Sequence, residues 1–218
     1  MFSRSLVLLV GVAGLVLATG CATTSRPSSA VATTAETEAP VGEAERISFF
    51  VHDARSGHLD QVLKGLDAGI PVDVVDAVDQ TALIAAAGKD HIEIAQLLLD
   101  RGAAPDVADP AGWTALIHAT YFGARPELLS LLVQKGANVN HQNDRGATAL
   151  YLAAASGRED TVRRLLALGA DATLATHSGY TPLRVAQNNG LTRIVELLDP
   201  KGAASKPASV PPTASVAH

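Results

Sequence analysis

The amino-acid sequence predicts an all-α protein, a solenoid of about five helix-turn-helix units with turn-rich fingers projecting between them. Three observations predict it. Threonine followed by Ala or Pro and then Leu recurs at Thr81, Thr114, Thr148 and Thr181, at spacings of 33, 34 and 33 residues. A glycine, mostly followed by alanine, recurs at Gly69, Gly102, Gly136, Gly169 and Gly202, and each of the first four precedes the next marker threonine by 12 residues. Inside each period the apolar residues fall at helical spacing on two short stretches. Two markers that keep a fixed offset through four periods define an internal repeat.

Ahead of the repeats, the chain opens with Arg4 and an apolar run of 13 residues from Leu6 to Ala18, closed by the small residues Thr19 and Gly20. Residues 1–20 read as a secretory leader. The run falls short of the roughly 20 apolar residues a permanent transmembrane helix needs. Leu17-Ala18-Thr19-Gly20-Cys21 resembles the lipobox of bacterial lipoproteins, with Ala18 standing where that motif favours Leu. The resemblance implies diacylglycerol on the thiol of Cys21, cleavage before it, and acylation (palmitate) of the new amine. Several acyl chains, at about 0.8 kcal/mol per buried CH₂, anchor stably where one would not. It also implies a periplasm-facing lipoprotein, in the outer membrane because Ala22 is not the Asp that favours inner-membrane retention. The plain alternative is a secretory leader cut nearby, with Cys21 incidental.

Residues 21–44 carry this cysteine and then Ala, Thr, Ser, Pro and Glu without apolar periodicity, which reads as a disordered linker with a reach of roughly 25 Å. The repeat domain is expected over 45–203, in units of about 45–78, 79–111, 112–145, 146–178 and 179–203. Residues 204–218, rich in Ser, Pro and Ala, are expected to be a second disordered segment.

Each unit then builds in the same order. After the threonine, Leu83/Ala86/Ala87, Leu116/Ala119, Leu150/Ala153/Ala154 and Leu183/Ala186 make a short helix with a small-residue face. Asp90, Gly123, Gly157 and Gly190 mark the turn, since glycine, and less readily Asp, accepts φ > 0. A second helix carries Ile94/Leu97/Leu98, Leu128/Leu131/Leu132, Val162/Leu165 and Ile194/Leu197/Leu198, and stops at the glycine marker. The dozen residues up to the next threonine are rich in Gly, Asn, Asp and Pro, the chemistry of a tight projecting turn. Helices of about ten residues are marginal alone, so the units must stack.

These residues resemble the ankyrin repeat, a unit of about 33 residues with a T-P-L-H-x-A-A opening, a G-H turn and a G-A-D/N-x-N finger. Thr181-Pro182-Leu183, Asp90-His91, Gly57-His58 and Gly136-Ala-Asn-Val-Asn140 carry the likeness. The opening histidine is replaced by Ile84, Ile117, Tyr151 and Arg184, so its usual hydrogen bonds are expected to be missing. The first unit lacks the threonine motif and reads as an N-terminal cap; Asp199-Pro200-Lys201 reads as a C-terminal one. The third unit has one extra residue near Gly123, with Pro126 placed for a first helical turn.

Composition and motifs exclude several classes of function. Lys and Arg number 17 against 22 Asp and Glu, a formal charge of −5 without a basic run, so no nucleic acid is expected as partner. There is no H-E-x-x-H, G-x-S-x-G or phosphate-binding Gly-Lys loop, and no enzyme activity or cofactor is expected. Asp73, Asp76 and Asp79 lack the Gly and closing Glu of an EF-hand and read as solvated finger carboxylates that cap turns. His91 reads as a turn residue, and His141 and His177 as surface histidines in fingers, so no metal is expected.

The aromatic residues point to a binding surface. In ankyrin-like units the residue before the marker threonine and those seven and eight after it face the concave groove, places held by Trp113, Tyr121 and Phe122. Tyr180 holds the Trp113 place two units on, and Tyr151 the missing-histidine place between them. These five, with Lys89 and Arg145 as cations, are the expected partner-binding residues, because aromatic side chains give contact area with little rotamer loss. The alternative is that Tyr121 and Phe122 plug the turn and Trp113 packs on a finger. The resemblance implies a monomeric, lipid-anchored protein that holds one or more proteins of the cell envelope. A second reading is an inhibitor or immunity-type companion whose acidic fingers cover a basic site on an envelope enzyme or toxin, and an enzymatic or metal-dependent role is the third class.

Overall fold

A computed structural model describes residues 42–199. The expected leader, Cys21, most of the linker, Gly202 and the 204–218 segment lie outside the described residues. Ten helices follow in order: α1 Glu43–Ser56, α2 Leu59–Asp67, α3 Ala82–Ala87, α4 Ile92–Asp100, α5 Ala115–Phe122, α6 Pro126–Gln134, α7 Ala149–Ala155, α8 Glu159–Ala167, α9 Pro182–Asn188 and α10 Thr192–Leu198. They form five pairs. Helix α1 starts at Glu43, so helix replaces the last residues assigned to the linker; Glu43 and Glu45 in its first turn suit the positive end of the helix dipole.

The threonine markers are helix caps. The hydroxyls of Thr81, Thr114, Thr148 and Thr181 accept the backbone N–H of Ile84, Ile117, Tyr151 and Arg184 at 3.2, 3.5, 3.1 and 3.2 Å. Each helix therefore starts where its threonine stands, whatever replaces the histidine three residues on. Among the turn residues, Asp90 takes φ 61° and Gly123 φ 82°, the left-handed conformation the sequence required there. Pro126 opens α6 at its first position.

Odd-numbered helices pack in one row, α1 on α3, α3 on α5, α5 on α7 and α7 on α9, and even-numbered helices in a second row from α2 to α10. Alanines make this approach possible: Ala82, Ala86, Ala87, Ala115, Ala119, Ala149, Ala153 and Ala154 are at most 1% exposed. Ile94, Leu98, Leu128, Leu132, Val162 and Leu165 close the core between the rows, whereas Leu97 and Leu131 are only half-buried. Leu129, fully buried, belongs to that core as well. The fifth pair is thinner, with Pro182 and Ala186 buried in α9 and Ile194 in α10.

Fingers are built by one side chain each. Asp76 Oδ1 accepts the N–H groups of Val78 and Gln80, Asp109 Oδ1 those of Ala111 and Trp113, and Asn143 Oδ1 those of Arg145 and Ala147. Thr176 Oγ1 does the same for Tyr180 N. All four stand five residues before a marker threonine. Isolated antiparallel bridges, Val75 with Thr81 and Ala108 with Thr114, complete the turns.

A second set of finger side chains ties each unit to the next. Asp73 Oδ1 accepts Ala104 N at 3.1 Å, Asp106 Oδ1 accepts Asn138 N at 2.9 Å, and Asn140 Oδ1 accepts Asp171 N at 2.8 Å. Fingers also bond backbone to backbone, Asp144 N to Ala111 O and His177 N to Arg145 O. Gly112 allows the first of these approaches, because a Cβ there would stand 2.9 Å from Asp144 N. Histidine does supply bonds between units, from other positions: His91 Nε2 donates to Arg55 O and His141 Nε2 to Gly112 O, both at 3.1 Å. His141 is accordingly half-buried, contrary to its reading as a surface residue, while His177 is exposed.

Candidate functional site

Helix α5 and the finger ahead of it carry a continuous aromatic cluster. Trp113 meets Tyr121 edge to face at 5.1 Å and His118 at 5.3 Å; His118 stacks on Phe122 at 6.0 Å; Tyr121 meets Phe122 at 5.2 Å. Spacing explains the arrangement. His118, Tyr121 and Phe122 lie three and four apart on one helical face, and the Asp109 turn, by accepting Trp113 N, folds the indole onto them. Tyr121 is 47% and Phe122 58% exposed, so neither is a plug for the turn.

The histidine in this cluster was missed by pattern reading. His118 stands one place beyond the motif's histidine and is 9% exposed, with Nε2 donating to Asp109 Oδ2 at 2.9 Å. Asp109 thus uses one oxygen to hold the finger and the other to hold His118. Burial by itself would raise its carboxyl, but the Trp113 amide, His118 and the Ala111 amide outweigh it and hold the group below the usual carboxylate range. A legible signal existed: Asp109 repeats the place of Asp76 and Asn143. In the first unit Arg55 takes the part of His118, bonding Asp76 Oδ2 at 3.2 Å, and the Asp76 side chain is 8% exposed rather than solvated.

Beside the cluster lies a cleft of about 420 Å³. In the order of the units, Trp113 and Tyr121 line one end, Tyr151 of α7 the middle, and Tyr180 with Thr176 and Ser178 the other end, with Arg145 on the intervening finger. The cleft therefore brings together five of the seven expected partner-binding residues from three successive units. Phe122 and Lys89 are not part of its lining. Phe122 leans the other way, its ring 3.5 Å from where a Cβ on Gly88 would stand, and Lys89 is exposed in that neighbouring turn. Tyr180, 38% exposed, carries the Arg184 guanidinium 5.6 Å from its ring centre.

Below the cluster, Arg158 reaches from the α7–α8 turn to donate to Tyr121 O at 3.1 Å. It lies so close to Gly123 that a Cβ there would stand 1.5 Å from Nη1. The finger carboxylates are largely committed to the scaffold: Asp73 and Asp106 to the next unit, Asp76 and Asp109 to their own turns, Asp171 to Thr173. Among the described residues no group of three or more His, Cys, Asp or Glu is arranged to hold a metal ion.

Comparison with known proteins bears on the repeat fold. The chain is 38% identical over 74 residues to neurogenic locus notch homolog protein 1 of Mus musculus, covering 34% of this chain and 3% of that protein. It is 32% identical over 142 residues to the nuclear factor NF-kappa-B p105 subunit of Gallus gallus, covering 63% and 14%. A B-cell lymphoma 3 protein homolog of Mus musculus is 36% identical over 130 residues, covering 59% and 28%. The chain spans less than a third of the length of each of these relatives. The family model for ankyrin repeats (3 copies) matches residues 50–143 and 120–207. With that match running across the capped helix pairs and their linked fingers, the chain belongs to the ankyrin-repeat family.

Proposed function

We propose that the protein is a lipid-anchored, extracytoplasmic scaffold that holds a protein partner of the cell envelope in the cleft between Trp113 and Tyr180. Ankyrin repeats imply protein–protein interaction, and the family is generally non-catalytic. The observation that carries the choice of site is the convergence of Trp113, Tyr121, Tyr151, Tyr180 and Arg145 on one cleft. Partly exposed Trp and Tyr rings, of which Trp113 and Tyr121 are packed on each other and on His118 and Phe122, have the composition of interface hot spots. The Cys21 motif supports the anchor, and the leader before it supports export. No catalytic step belongs to this reading.

Affinity capture from detergent-solubilised envelopes tests the site, with the wild type set against a Trp113→Ala/Tyr121→Ala double variant. Loss of specific partners in the variant is expected, at on the order of 2 kcal/mol per truncated ring; an unchanged partner set refutes the site. The anchor is tested separately. Cys21→Ser should abolish palmitate labelling and release the protein from the membrane fraction, and a variant that stays labelled and sedimentable refutes lipidation at Cys21.

A further inference from the structure

The cleft contains more information than its aromatic rings, and the nature of its occupant rests on the proposal that the cleft binds a protein. Arg145 is the one formally charged residue lining it, in a chain whose net charge is −5. No carboxylate shares the lining. The Arg145 side chain is exposed and has no ion-pair partner among the described residues. Its backbone is fixed on both sides, the N–H donating to Asn143 Oδ1 at 3.0 Å and the carbonyl accepting His177 N at 3.0 Å. A cation on a rigid mount with an uncommitted head is ready to receive an anion at little cost in backbone ordering. Arg184, over Tyr180 and likewise without a carboxylate, adds positive charge at that end.

The other end is apolar and shaped. Trp113 and Tyr121 pack on each other edge to face at 80° and still line the cleft, with Tyr121 47% exposed. Aromatic-lined grooves accept the flat, pre-ordered ring of proline, and a polyproline II segment has little conformational freedom left to lose on docking. The cleft crosses three units, from Trp113 through Tyr151 to Tyr180, the layout for an extended chain rather than a compact small molecule.

We propose that the occupant is an extended peptide segment in which prolines alternate with Glu or Asp, a proline seated on Trp113 and Tyr121 and a carboxylate paired with Arg145. A guanidinium pairs with a carboxylate through charge-assisted hydrogen bonds.

Trp113 is the only tryptophan of the chain, so its fluorescence reports occupancy of the cleft directly. The full-length chain is titrated with three tryptophan-free peptides: acetyl-Ser-Pro-Glu-Pro-Glu-Pro-Ser-amide, its Gln counterpart and its Lys counterpart. The Glu peptide is expected to bind roughly tenfold or more tighter than the Gln peptide, with the Lys peptide weakest. That gap should close in Arg145→Gln, persist largely in Arg145→Lys, and shrink at about 0.5 M salt. Thermal melts of both variants verify folding. Equal affinity for the Glu and Gln peptides, a gap that survives Arg145→Gln, or no binding of any of the three overturns the proposal. Envelope capture with the Trp113→Ala/Tyr121→Ala variant is read independently, so a failed peptide assignment and a failed binding site give different results.

Discussion

His118 and Asp109 are nine residues apart in sequence and 2.9 Å apart in space, imidazole Nε2 against carboxylate Oδ2, with side chains only 11% and 13% exposed. Through this pair the finger that positions Trp113 and the helix that carries Tyr121 become one rigid piece. Because the Asp109 carboxyl is held below its ordinary range in the folded chain, its bonds stabilise the fold above the unfolded-state value. That contribution disappears as pH falls through the folded-state value. As pH falls below the ordinary carboxylate value, the melting temperature is therefore expected to drop more steeply in the wild type than in Asp109→Asn, which keeps the Oδ1 acceptor but cannot titrate. Asp109→Ala, which removes both oxygens, should cost about 1–3 kcal/mol at neutral pH. Parallel melts across that fall in pH, with equal slopes for wild type and Asp109→Asn, would contradict this.

On the same helix, Thr120 is 1% exposed and its hydroxyl has no hydrogen-bond partner among the described residues. A buried hydroxyl without a partner has given up water and received nothing in return. Thr120→Val keeps the shape and removes that polar atom, and is expected to stabilise the protein by about 1 kcal/mol, seen as a higher denaturant midpoint at unchanged slope.

Leu150 is fully buried at the centre of the stack, where α7 meets α5, α8 and α9. Leu150→Ala should cost roughly 2–5 kcal/mol as a core deletion. Denaturant unfolding followed by circular dichroism measures it; a loss below about 1 kcal/mol would mean that the middle unit is not packed on both sides.

Two glycines with the same backbone conformation separate steric from conformational cost. Gly69 (φ 86°) faces open space, whereas Gly123 (φ 82°) lies against the Arg158 guanidinium. Gly69→Ala should cost about 1–2 kcal/mol for the left-handed backbone. Gly123→Ala should cost about 1 kcal/mol more, because Arg158 must move and release Tyr121 O. Equal costs would show that the Arg158 arm contributes nothing.

The helices could be read from the sequence because each depends on local chemistry: a capping threonine, alanines at helical spacing, and a glycine or Asp90 at the turn. The convergence of Trp113, Tyr121, Tyr151 and Tyr180 followed from their register within a repeat, since side chains one period apart become neighbours when units stack. Phe122 kept its register yet points toward Gly88, a matter of rotamer and neighbours that register does not set. Pattern reading overlooked residues that act through a partner outside their own pattern. Asp76 looked like a solvated carboxylate until Arg55 from α1 was placed beside it, and His118, one place beyond the motif's histidine, belonged to no pattern. Buried polar pairs of this kind depend on which side chains meet across 9 or 21 residues, and hydrophobic periodicity carries no record of that.

The thin burial of α9 and α10 has a consequence for whatever occupies the cleft, since Tyr180 is mounted on the pair with the fewest buried side chains. A guest that spans Tyr151 and Tyr180 ties this thinly buried pair to the unit before it. Tight holding and the quieting of that end are then a single thermodynamic quantity, measurable either as affinity or as slowed amide exchange.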